Sequence, residues 1–406
     1  MILIWDKDYN ELIGFLKDQK EKPFLLCDEN TFNACGKSIA EKLKKEQLDH
    51  DLLMLPNDAH ADEKNICKLM LNTEDNHLII SIGSGSLTDI ARFSAYKQKL
   101  RFISVPTAPS MDGYASSVAA LTIDGLKTTV SASAPEKIFA NIEVIKNSPK
   151  ILKLAGFGDL MGKFTALSDW KLANIITEED INWDVWNTMY NTCEKTLKNV
   201  GESEFEKSLL EGLVKSGELI AIVGNSRPAS GSEHHISHYL EFLGYDLFHG
   251  IKVGISTFYA IKLYKYLLNL DLEDLERFQD VRIDIDEWER EMEENFPKIQ
   301  NRIIEENIER IKDFNNANYR AKILERIKNK KDEIYEIAKS LIEKESELSE
   351  GYKKLGFSVD PEEWGIKKED IKKALLYSLY IRERFTILTL YQFLGILKEL
   401  AQDDII

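Results

Sequence analysis

The sequence predicts an N-terminal α/β domain built on a parallel sheet, followed by an all-helical C-terminal domain. Short β-rich apolar runs alternate with amphipathic stretches up to about residue 150, and strand signals then vanish. The 406 residues also exceed the usual size of one domain. We place the boundary between residues 149 and 150, giving domains 1–149 and 150–406.

In chain order, "PFLLCD" (23–28), "DLLMLP" (51–56), "HLIISIG" (77–83) and "RFISVPT" (101–107) have the length and composition of buried strands. Between them "ACGKSIAEKLKKEQ" and "EKNICKLMLNT" carry helical spacing. This rhythm implies parallel strands, since a parallel neighbour is reached only through a crossover connection. "VAALTIDGLKTTVSAS" reads as a hairpin turning at Asp124-Gly125. Beyond "KNSPK" only helical patterns follow. From about 270 to 350 they are densely charged ("EWEREMEENFPK"), with apolar residues three and four apart, as expected of solvated helix faces.

Composition narrows the chemistry. Hydrophobic residues make up 43%, enough for a sizeable core, and the net charge is −16. That acidity weighs against nucleic acid or an anionic membrane surface as partner. Cys27, Cys35, Cys67 and Cys193 are scattered without a CxxC pair, which fits a reducing compartment rather than a disulfide scaffold or zinc knuckle. "MILIWDKDYNELIG" has acids where a secretory leader needs a basic start, and no apolar run reaches the roughly 18 residues of a membrane span. The expected location is the cytoplasm, with small-molecule chemistry left open.

Two loops offer a ligand site. In "LIISIGSGSLTDIARF" a strand runs into Gly83-Ser84-Gly85-Ser86 and then a helix, an arrangement that brings backbone N–H groups close to a pyrophosphate. Alone, it equally fits a tight turn in any α/β sheet. Asp28 ends "FLLCD", where a carboxylate can meet an adenosine ribose in a Rossmann-like domain. "SVPTAPSMDGYASS" follows another strand and carries Asp112-Gly113 at its tip. Its position is that of a ligand loop, and its composition is also ordinary turn chemistry.

Histidine usage is uneven. Seven histidines occur in the chain, and four of them, His234, His235, His238 and His249, fall in "SGSEHHISHYLE" and "LFHGIKVG". His234 and His238 share a helix face. A divalent cation asks for two or three imidazoles, a carboxylate and an open position for substrate. Asp159 of "LAGFGDLMGKFTAL" is the best distant carboxylate, although an Asp there can also serve as a helix cap. The cleft between the two domains is the expected site.

Together these motifs resemble the dehydroquinate synthase-like and iron-type alcohol dehydrogenase superfamily, and within it the sn-glycerol-1-phosphate dehydrogenases of bacterial type. The resemblance rests on "GSGSLTDIARF", "SVPTAPSMDGYASS", "AGFGDLMGKFTALSDWKLA", "NSRPASGSEHHISHYLE" and "IRERFTILTL", and runs from about residue 20 to 390. It implies a dehydroquinate synthase-like fold and reversible reduction of dihydroxyacetone phosphate to sn-glycerol 1-phosphate with NAD or NADP, feeding glycerophospholipid and ether-lipid synthesis. It implies one divalent ion, zinc or nickel, on Asp159, His234 and His249. His238 and Asp112 take the substrate-contacting and catalytic positions, with Asp159 also touching substrate. Gly85, Ser86, Leu87, Thr88 and Asp89, then Thr107, Ala108, Pro109, Ser110 and Ser116, take the cofactor positions beside Gly83 and Asp28. His235 has no counterpart in that pattern. Ser84 and Arg92 stand where many relatives have Gly and Lys, which leaves the choice of NAD or NADP open. Arg227 in "NSRPASG" is placed to grip a phosphate with two parallel donors, and equally to form an ion pair between domains. A homodimer is expected. The alternatives are a glycerol or other polyol dehydrogenase, a cyclase of the dehydroquinate synthase type, and a metal-binding interaction protein docking through 270–350.

Overall fold

The computed structural model describes residues 2–123 and 126–402, so the Asp124-Gly125 turn lies outside the described residues. The chain forms two compact units, Met1–Leu160 with Glu194–Asn225, and Met161–Cys193 with Ser226–Ile406.

The strands of the first unit are β1 (Leu3–Trp5), β2 (Lys22–Asp28), β3 (Asp51–Leu55), β4 (His77–Gly83), β5 (Arg101–Pro106), β6 (Val118–Ile123), β7 (Leu126–Ser131) and β8 (Ile138–Ala140). Six of them make one sheet in the order β1-β8-β5-β4-β2-β3, every pair parallel. β6 and β7 pair antiparallel, Val118 opposite Ser131. Each residue of β4 is buried, as a strand covered on both faces requires. Successive side chains alternate between the faces. Ile80 and Ile103 pack toward Leu12 and Ile39, whereas Ile79 and Phe102 pack toward Ile90 and Ala91. β1 and β8 escaped the sequence reading because three residues are too few to show a period.

The boundary between 149 and 150 differs from the observed grouping. Leu210 and Val214 of the helix Phe205–Val223 share a buried cluster with Leu3, Ile138, Ala140 and Ile145, so this stretch covers the sheet. Helical periodicity shows which face is apolar, not which core that face meets.

The helix Lys150–Met161 approaches the loop after β5 at Gly156. A Cβ there would stand 2.8 Å from the Pro109 carbonyl carbon and 3.0 Å from Leu213 Cδ1, with the Pro109 oxygen nearer still. Gly156→Ala should therefore destabilise the protein by about 1–3 kcal/mol through overpacking against backbone. Chemical denaturation measures this, and an unchanged midpoint would mean that the helix can back away.

The second unit is helical. Its charged segments are the helices Ile285–Asn295, Gln300–Asn315, Ala317–Asn329 and Lys331–Leu355, each turning a few apolar residues inward, such as Trp288 and Met292 or Ile303 and Ile311. The apolar run Ile387–Leu394 is buried inside this unit. Among the described residues no helix is long and apolar enough to cross a membrane.

Asp169, on the helix Lys163–Thr177, ties the unit together. Its carboxylate accepts from the Ser232 N–H at 2.6 Å, and from the Tyr264 hydroxyl and the Ile387 N–H at 2.8 Å each.

Candidate functional site

In the first unit, the helix Gly85–Gln98 begins directly after Gly83-Ser84, and no side chain caps its first turn. Leu87 folds back over Gly83, where a Cβ would lie 3.0 Å from the Leu87 Cβ. The side chains of Leu87 and Thr88 are buried. The first turn can thus present the backbone N–H groups of Gly85, Ser86 and Leu87 to a phosphate at the positive end of a helix, whereas the Thr88 N–H already donates to the Ser84 carbonyl at 3.0 Å. Asp89 turns inward, 3.5 Å from Arg92 Nε and accepting from the Ala120 N–H, and burial pushes its carboxyl up to about 6.

Arg92 is fully buried and donates to the carbonyls of Gly113, Tyr114, Ser116 and Val118. It clamps the segment that carries Ser116. A lysine, whose donors all sit on one atom, would not span four carbonyls. The loops that follow β4 and β5 meet where the Thr107 N–H donates to the Gly83 carbonyl at 3.3 Å. The Tyr114 hydroxyl holds the Ala108 carbonyl, and Ser110 is buried nearby. Asp28 ends β2 and caps the next helical turn by accepting from the Thr31 N–H at 2.7 Å.

Asp112 and Asp159 come together. The Asp112 N–H donates to Asp159 Oδ2 at 3.0 Å, and Ser216 Oγ donates to Asp112 Oδ2 at 3.0 Å. Asp159 is fully buried.

In the second unit three of the four histidines converge. Ring centroids of His234 and His249 lie 5.2 Å apart, those of His238 and His249 5.5 Å, and those of His234 and His238 6.0 Å. The helices Ser232–Phe242 and His249–Leu267 supply them. His234 Nδ1 is 2.7 Å from Glu233 Oε1, and His249 Nδ1 is 3.0 Å from Glu241 Oε1. Glu233 is itself fixed by Thr165 Oγ1 at 2.6 Å and the Gly231 N–H at 2.7 Å. A carboxylate on Nδ1 orients the ring, makes it a stronger base and leaves Nε2 as the ligand atom. Ligand atoms of His238, Glu241 and His249 lie within 4.8 Å of one another. Imidazole and carboxylate donors of this kind suit a divalent metal ion.

Burial, and then the nearby Arg382 charge, hold the His238 imidazole well below its ordinary pKa. Burial pushes the Glu241 carboxyl up, but His249 and Lys252, 3.3 Å away, outweigh it, and the group lies well below the usual carboxylate range. His235 is fully buried on the same helix, apart from these contacts.

Arg227 is buried and its fork closes on Glu179, Nε donating to Oε1 at 2.6 Å, while Nη1 donates to the Phe385 carbonyl at 2.9 Å. That ion pair lies within the second unit. Glu233 and Glu241 escaped the sequence reading. An acid directly before His234 was one available sign, whereas Glu241 is brought to His249 only by the turn between two helices.

Residues 7–149 match the family described as iron-containing alcohol dehydrogenase. The chain is 35% identical over 305 residues to the glycerol-1-phosphate dehydrogenase (NAD(P)+) of Geobacillus thermodenitrificans, covering 71% of this chain and 75% of that one. It is 31% identical over 286 residues to the Bacillus subtilis protein of the same name, 66% and 73% of the two chains. Among solved structures, glycerol dehydrogenase from Schizosaccharomyces pombe superposes with a TM-score of 0.60 at 16% identity, over 98% of this chain and 89% of that one, a likeness of fold. By the extent and identity of the first two matches, the chain belongs to the glycerol-1-phosphate dehydrogenase family, with the fold of the iron-containing alcohol dehydrogenases.

Proposed function

We propose that this protein is a metal-dependent oxidoreductase that reversibly reduces dihydroxyacetone phosphate to sn-glycerol 1-phosphate with NAD(P)H, feeding glycerophospholipid and ether-lipid synthesis. One observation carries this beyond family membership: His234 and His249 face each other at 5.2 Å, each with its Nδ1 held by a carboxylate. In this reading Asp159, His234 and His249 hold one divalent ion, zinc or nickel. Such an ion, when bound, supplies Lewis-acid polarisation of the ketone oxygen, worth several kcal/mol.

The chain's own residues do the rest. His238, kept neutral by burial, orients a substrate hydroxyl and relays a proton to the C2 oxygen. Asp112, steadied by Ser216, holds a second hydroxyl and sets C2 against the nicotinamide that delivers hydride. The glycine turn receives the pyrophosphate, Asp28 the adenosine ribose, and the loop from Thr107 to Ser116 the nicotinamide half. We expect a homodimer working in the cytoplasm.

The test is NADH oxidation with dihydroxyacetone phosphate, with and without chelator and with zinc or nickel added back. Activity should disappear on chelation and return with metal. Turnover by metal-stripped protein would remove the mechanism. Preference for glycerol over glycerol 1-phosphate would instead mark a polyol dehydrogenase, and the absence of net NADH consumption a cyclase.

A further inference from the structure

The substrate reading leaves the place of the phosphate open, and Arg227 already grips Glu179. Two other arginines of the second unit have, among the described residues, no such ion pair. Arg384 donates through Nη1 to the Ser230 carbonyl at 2.8 Å and through Nη2 to Ser226 Oγ at 2.7 Å. Arg382 reaches the same Ser226 Oγ through Nη1 at 3.4 Å. Two guanidinium groups thus meet on one hydroxyl oxygen. Among the described residues, neither has a carboxylate within the 4.0 Å of an ion pair.

Like charges this close and partly buried oppose folding unless an anion completes them. Their mutual effect shows in Arg384, whose pKa falls to about 9 through burial and then the charges of Arg382 and Arg227. A second observation marks the same region. His235 is fully buried, and among the described residues neither ring nitrogen has a hydrogen-bond partner. The charges acting most strongly on it are Arg384 and Arg382. Ser230 Oγ is likewise buried without a partner. The region therefore combines two buried cations, which feel the carboxylates of Glu241, Glu179 and Glu233 only at a distance, with unfilled hydrogen-bonding positions. A neutral alcohol would leave the charges unanswered, whereas a phosphate monoester supplies both countercharge and acceptor oxygens. Arg382 is also the strongest charge acting on His238, so the pair lies within reach of the imidazole cluster.

We propose that Arg382 and Arg384 are the phosphate-binding pair for the three-carbon substrate, with Ser226 as their shared anchor and the Arg227–Glu179 pair bracing the loop that carries it. The assignment rests on the reading of a phosphorylated ketone as substrate. Arg382→Gln and Arg384→Gln should each raise KM for dihydroxyacetone phosphate at least ~10-fold, the usual size of a lost charge-assisted hydrogen bond. KM for NADH should stay unchanged, reduction of unphosphorylated dihydroxyacetone should fall less than that of the phosphorylated ketone, and Arg384→Lys should recover part of the loss. Inorganic phosphate should compete with dihydroxyacetone phosphate in the wild type and compete less well in the glutamine variants. Equal losses with both ketones would overturn the assignment while leaving the functional reading intact. A wild-type enzyme indifferent to the phosphate would instead remove that reading, and this proposal with it. Should the glutamine variants fail to fold, dicarbonyl labelling of wild-type Arg382 and Arg384, read by peptide mass spectrometry, decides. Inorganic phosphate should slow the labelling, and labelling that phosphate leaves unchanged refutes the pair.

Discussion

Replacing His249 by alanine should strip the protein of its divalent ion and abolish ketone reduction while leaving the fold intact. His249 begins its helix and is about one-third exposed at its side chain, so its loss opens no enclosed cavity in the core. Among the described residues it is, however, one of two imidazoles whose Nδ1 is held by a carboxylate. Removing it takes away a ligand atom as well as an orienting contact. With Lewis-acid stabilisation worth several kcal/mol and each 1.36 kcal/mol worth tenfold in rate, the fall in kcat should be on the order of 10³ or more. Glu241→Gln keeps the imidazole but loosens it, and should cost roughly 10–100-fold in metal affinity. Elemental analysis of the purified proteins beside NADH oxidation separates the two effects. A His249→Ala protein that retains a stoichiometric ion would show that this imidazole is no ligand.

The second large effect is expected at Asp169, remote from any reacting atom. Asp169→Ala leaves three buried donors, from Ser232, Tyr264 and Ile387, without their acceptor. At about 1–3 kcal/mol for each orphaned group, the loss should reach at least ~3 kcal/mol, a large fraction of the stability of an ordinary domain. Tyr264 and Ile387 belong to different segments of the second unit, so the damage spreads through it. The same carboxyl makes stability depend on pH. Burial, and then the nearby Glu233, push its pKa from 3.8 up to about 6. The folded state thus binds this proton more tightly than the unfolded chain. The resulting contribution is complete below about pH 3.8 and fades as pH rises toward about 6, by on the order of 3 kcal/mol. Asp89 titrates over the same window for the same reason. Denaturation of Asp169→Asn between pH 4 and 7 should therefore show a shallower decline than the wild type, and an identical slope would exclude Asp169 as a source of it.

What could be read from the sequence follows from the range of the forces involved. β2, β4 and β5 were legible because a strand buried on both faces is a run of apolar residues, as in "HLIISIG", whereas β3, expected to be buried, is an edge strand that exposes Leu52 and Met54. The glycine turn was legible because the approach of Leu87 to Gly83 leaves no room for a Cβ. The imidazole cluster stood out because histidine is scarce in this chain, and a recurrence four residues apart defines a helix face. The rest depends on partners far away in sequence. Nothing local says that Asp169 will meet the backbone of residue 387, or that Arg382 and Arg384 will meet Ser226. Nor does the pattern at 205–223 say that its apolar face belongs to the sheet. Arg227 has the opposite lesson: its type and position suited a phosphate, and its fork closes on Glu179.

The fan of four carbonyl contacts from Arg92 makes residues 113–118 a stationary ledge in the protein alone. On the proposed reading a dinucleotide would meet a segment that the protein already holds in place, so little of the free energy of association would go into stilling a moving chain. On the same reading, Arg92 would serve the cofactor through the backbone it holds in place.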